Sequence, residues 1–129
     1  MNVVITDTID TYQDGVLVKS ITLCNTRSYS SVSLSFNSSR TPNAASDTLV
    51  ICSIQMNVDA GNESTINVQV NTGSGFVTIA TLDSFVTGAG DNTTTITPVT
   101  FVVPANSSYQ ILSSGTGINA IISTYELTF

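Results

Sequence analysis

Catalysis usually recruits histidine, cysteine, lysine or paired carboxylates, and this sequence offers little of the first three. Its 129 residues contain no histidine. That removes Ser-His-Asp triads, Cys-His nucleophiles and histidine-based zinc sites together. Cys24 and Cys52 are the only cysteines. Each lies alone in an apolar run, and two are too few for a four-thiolate metal site. They read as free core thiols or, if their strands are neighbours, as a disulfide. Lys19 has no Gly-framed serine beside it and reads as a surface charge on a strand.

The carboxylates are Asp7, Asp10, Asp14, Asp47, Asp59, Glu63, Asp83, Asp91 and Glu126. A pair of them could hydrolyse a glycoside without histidine. Most, however, fall at turns or strand ends, where Asp is ordinary turn chemistry, and there is no Trp to grip a sugar. Asp10 to Gly15 resembles the start of a calcium loop, but Tyr12 and Ile21 stand where oxygen ligands are needed, at the third and twelfth positions. Gly73-Ser74-Gly75 and Gly115-Thr116-Gly117 neither open a helix nor precede a lysine, so they read as hairpin turns rather than phosphate loops. No catalytic residue, metal or cofactor is expected, and the chain reads as a structural or binding module rather than an enzyme.

Charge narrows the partners. The net charge is −6, with Lys19, Arg27 and Arg40 as scattered cations. A phosphate-binding surface needs clustered Lys and Arg, so neither nucleic acid nor an anionic membrane is an expected partner. No apolar run approaches the length of a membrane-spanning helix, and the first residues lack the basic and apolar regions of a signal peptide. Only 9% of residues are charged against 41% hydrophobic. The polar surface must then come from Ser, Thr and Asn, and the apolar surplus from a rich core, a subunit interface, or both.

The elements that must carry these residues are strands. Val3–Thr6, Val16–Leu23, Ser31–Phe36, Leu49–Val58, Ile66–Val70, Phe76–Leu82, Thr93–Val103, Tyr109–Leu112 and Ile118–Phe129 are β-branched or alternate at period two, and no segment has a convincing helical period. Asp14-Gly15 and Asn71 to Gly75 mark hairpin turns. Pro98 makes the Thr93 run an edge strand or two short ones. Leu49 and Ile51 add an apolar second face to the Val50–Val58 stripe, which predicts a central strand covered on both sides at one end. The expected fold is all-β: a single antiparallel β-sandwich or jelly roll of eight to ten short strands, one domain over residues 1–129.

Val103-Pro104-Ala105-Asn106-Ser107-Ser108-Tyr109, a glycine turn, and a last strand ending in Tyr125-Glu126-Leu127 resemble the closing strands of tailed-phage virion proteins: capsid decoration (cement) proteins, head fibres and tail-fibre tips. That resemblance implies a bacteriophage structural protein on the virion surface, made in the host cytoplasm. It would bind the major capsid protein or another virion protein and stabilise the assembled shell, as a homo-oligomer with a trimer favoured. The terminal strands, with Val3, Ile5, Tyr125, Leu127 and Phe129, either form the subunit interface or pair within the chain. The alternative is a tail-fibre tip or head-fibre module that recognises a host glycan or protein. For it, Tyr12, Tyr29 and Tyr109 are the candidate aromatic platform.

Overall fold

The computed structural model describes residues 2–88 and 90–128, and the side chains of all of these except 2–10 and 19–28. Eight strands form: β1 (Asn2–Gln13), β2 (Val16–Ser31), β3 (Thr48–Asp59), β4 (Glu63–Asn71), β5 (Phe76–Phe85), β6 (Asn92–Val103), β7 (Ser108–Gly115) and β8 (Ile118–Thr128). All pairings are antiparallel, in a five-stranded sheet of order β1-β2-β8-β3-β6 and a three-stranded sheet of order β5-β4-β7. There is no helix among the described residues. The all-β expectation is met, with strands longer than expected: β2 runs 16 residues.

The core lies between the sheets. β3 contributes Val50, Cys52, Ile54 and Met56, β4 contributes Ile66, Val68 and Val70, and β6 and β7 add Val99, Phe101, Val103, Tyr109 and Ile111. These positions recur at period two because successive strand residues point to opposite faces. Full burial of a side chain such as Ile54 or Ile66 is worth about 2 kcal/mol. Cys52 is a buried free thiol that shares a hydrogen bond with Thr124 Oγ1, and desolvation raises its pKa. The side chain of Cys24 lies outside the described set.

The turns follow their chemistry. Asp14 (φ 52°) and Gly15 (φ 78°) both adopt positive φ, as a two-residue turn joining twisted strands requires. Between β4 and β5, Asn71 Oδ1 accepts from the backbone N–H of Gly73 and of Gly75, which folds the loop onto its own strand end.

Two sequence expectations need correction. Ser31–Phe36 is not a strand: past Ser31 the chain is extended but has no ladder. Its alternation is real, since Leu34 and Phe36 pack on the core. The backbone, however, is tied only at intervals, by Val32 N–H to Thr124 O, Asn37 N–H to Ile111 O, and reciprocal bonds between Arg40 and Tyr109. This segment crosses from the large sheet to the edge of β7. It occupies the place of a fourth strand in the small sheet without forming one, so the architecture is a sandwich one ladder short of a jelly roll. Of the two alternatives for the Thr93 run, the structure shows the edge strand, continuous and with Pro98 in register opposite Ser53.

The second correction concerns Leu49 and Ile51. They point away from the core, and among the described residues no layer lies over them: the three-stranded sheet covers the opposite face. The apolar second face of β3 is real, but its side chains are only half-buried.

Candidate interaction surfaces

The outer face of the large sheet is built strand by strand from register. Leu49 lies opposite Leu127 and Val102, Ile51 opposite Tyr125 and Thr100, and Ser53 opposite Ser123 and Pro98. A β-bulge between Ser53 and Ile54 leaves Ile122 as the unpaired residue of β8. It is 54% exposed on this face. Beside it, Tyr29, Ser31, Ile51 and Tyr125 line a depression of about 500 Å³. The outward members of β3 from Leu49 to Asn57, of β6 from Thr94 to Val102 and of β8 from Ile118 to Leu127 include no charged residue. A charge-free, largely apolar face on an acidic protein marks a contact surface.

The β1–β2 hairpin is the second surface. Among the described residues β2 joins the sandwich only through Tyr29, Ser30 and Ser31, paired to Leu127, Glu126 and Tyr125 near the end of β8. Upstream of Tyr29, β2 therefore runs past the end of β8, and β1 is the strand paired with it there. Twelve residues of β1 give a ribbon of about 40 Å, comparable to the width of a ~100-residue body. The register pairs Val3 with Arg27, Ile5 with Asn25, Asp7 with Leu23 and Ile9 with Ile21. Residues 11–18 are exposed throughout, among them Tyr12, Val16, Leu17 and Val18. Isolated two-stranded ribbons are marginal in water, and an uncovered one is poised for a partner.

A third surface is an open cleft of about 560 Å³ at one end of the sandwich, lined by Asn62, Glu63, Phe85 and Thr116 among others. Phe85 is 72% exposed there. Thr116 Oγ1 donates to Asn62 Oδ1, which holds the cleft wall.

The expected site residues separate on this framework. Tyr125 and Leu127 do lie together on the outer face of the large sheet, Tyr125 exposed and Leu127 nearly buried. Val3 and Ile5 pair with Arg27 and Asn25 of β2; their side chains, and Phe129 altogether, lie outside the described set. The three tyrosines form no platform. Tyr12 is at the hairpin tip and Tyr29 beside Tyr125, whereas Tyr109 is fully buried in the core. Burial pushes the Tyr109 hydroxyl to a strongly raised pKa, helped by the neighbouring Glu126 carboxylate. Its ring meets Phe101 edge-on at 5.4 Å between centroids.

What sequence reasoning missed is the polar pin around Tyr109. Its hydroxyl donates to Glu126 Oε1 at 3.1 Å. Arg40 Nε donates to the same oxygen, and Arg40 Nη2 to Glu126 Oε2 at 3.2 Å. The hydrogen bond it donates to Glu126 raises the pKa of Arg40. A lone Glu on the inward register of an otherwise uncharged strand was the available signal, because such a group is buried only with a partner. The Ile122 bulge had no comparable sequence signal.

No metal-binding cluster of His, Cys, Asp and Glu occurs among the described residues. No protein-family model matches this sequence, and no curated protein matches it either.

Proposed function

We propose that this protein is a structural component of a bacteriophage particle, a capsid decoration protein that acts by contact rather than by chemistry. The observation that carries this reading is the β1–β2 ribbon, which among the described residues is tied to the sandwich only at Tyr29, Ser30 and Ser31. A ribbon of this kind suits attachment to a larger body by laying a sheet face or an edge against it. The resemblance of Val103–Tyr109 and Tyr125–Leu127 to virion proteins supplies the kind of body. Binding only the assembled shell would stabilise it by mass action. The experiment is to mix the purified protein with expanded, undecorated heads. Co-sedimentation and a raised head melting temperature are the expected results; absence of both sinks the reading.

The cleft at Phe85 favours one alternative, a fibre-tip module that recognises a host glycan. An exposed aromatic ring beside Asn62 and Glu63 is the arrangement a sugar face stacks on. Binding to host cells that is lost in Phe85→Ala, without binding to heads, would establish that reading instead.

A further inference from the structure

We infer that the outer face of the large sheet is covered by a second copy of this chain, in a two-fold, face-to-face pairing of the sheets centred on Ser53 and Ser123. Charge points to this occupant. Each copy carries −6, so two copies repel wherever their acids meet. This face presents no charge from Leu49 to Asn57 on β3 or along the outward positions of β6 and β8. It is the surface where that repulsion is least. A basic partner would find no acid here to pair with.

Shape agrees with charge. Ser53 and Ser123 sit opposite one another at mid-face, and small side chains there let two sheets approach to about 10 Å, the usual spacing. On one side of this centre lies the depression at Tyr29, Ile51 and Tyr125. On the other side Ile122 projects from its bulge. A two-fold axis through the serines exchanges the two sides, so Ile122 of each copy enters the depression of the other. One contiguous patch that holds both knob and hole is self-complementary, which closes as a dimer rather than a three-fold ring. Three to four strands over about ten residues give about 600 Å² per copy. The pair then buries about 1,200 Å², the lower end of specific interfaces.

The test uses the full-length protein alone, without heads, so its outcome is independent of the shell-binding reading. Light scattering from about 1 μM to about 1 mM is expected to reach a mass of two chains. Ile122→Asp places a carboxylate in the contact and should weaken self-association by about 30-fold or more. Circular dichroism checks that the variant remains folded. Ser123→Cys, next to the axis, should link to its own symmetry mate under mild oxidation. Thr81→Cys, on the outer face of the small sheet, should not. A mass of one chain at every concentration, a mass of three, a dimer unaffected by Ile122→Asp, or equal cross-linking at Thr81→Cys would each overturn the pairing.

Discussion

The Tyr109 hydroxyl donates to Glu126 Oε1 at 3.1 Å, joining β7 of one sheet to β8 of the other through the core. Arg40 grips the same carboxylate from the segment that crosses between the sheets. One acid thus fastens three parts of the chain. Tyr109 and Glu126 also belong to the two stretches that carry the resemblance to virion proteins, so those stretches have a structural reason to occur together. Arg40→Ala leaves a carboxylate that is 5% exposed without its cation, and should cost about 2–3 kcal/mol in urea unfolding. Tyr109→Phe should cost about 1 kcal/mol. The double replacement Arg40→Met/Glu126→Leu should be milder than Arg40→Ala, because no buried charge is stranded.

Alkali should loosen the fold. The raised pKa values of Tyr109 and Cys52 mean that the folded state holds these protons more tightly than the unfolded chain does. Their contribution to stability is therefore complete below the ordinary values of 9.0 for the thiol and 10.0 for the phenol. Above those values the unfolded chain releases protons first, and stability falls with rising pH. Thermal melts across this range should show the decline beginning near pH 9. In Tyr109→Phe the decline should be shallower.

Gly115 and Gly75 both sit at positive φ, 97° and 106°, yet they should respond differently to alanine. A Cβ at Gly75 meets nothing within 4 Å, so only the backbone strain applies, about 1 kcal/mol. A Cβ at Gly115 runs into the Glu63 carbonyl, with the Ser64 Cα at 3.0 Å. Gly115→Ala should therefore be the more destabilising by at least about 1 kcal/mol, as read from the shift in urea midpoint.

Attachment and folding should separate at the hairpin tip. Leu17 and Val18 are exposed and lie outside the core. Leu17→Asp/Val18→Asp should change unfolding stability by no more than about 0.5 kcal/mol. The same variant should lose co-sedimentation with undecorated heads. Retained binding would move the attachment site off the ribbon.

The legible part of the fold was whatever depends on neighbours in sequence. Period-two alternation located nearly every strand, and Asp14-Gly15 and Asn71 to Gly75 announced their turns. The illegible part depends on what comes to lie alongside. Ser31–Phe36 alternates like a strand because its side chains do face the core, but a ladder also needs a backbone partner, and alternation carries no record of one. Tyr109 reads equally as a platform or a core residue until Glu126 supplies its hydroxyl with an acceptor. Arg40 and Glu126 meet across 86 residues, a distance no local pattern spans. Leu49 and Ile51 revealed a second apolar face of β3, but not that it stays half-buried, with no layer over it among the described residues.

Pro98 gives the arrangement a limit. It lies on the edge strand β6, in register and exposed, and it has no N–H to offer a further strand. The row of donors along that margin is interrupted midway. Copies of the chain are thereby discouraged from adding side by side into an endless ribbon on this side. An interrupted edge of this kind disfavours open-ended, fibre-like addition of strands along β6.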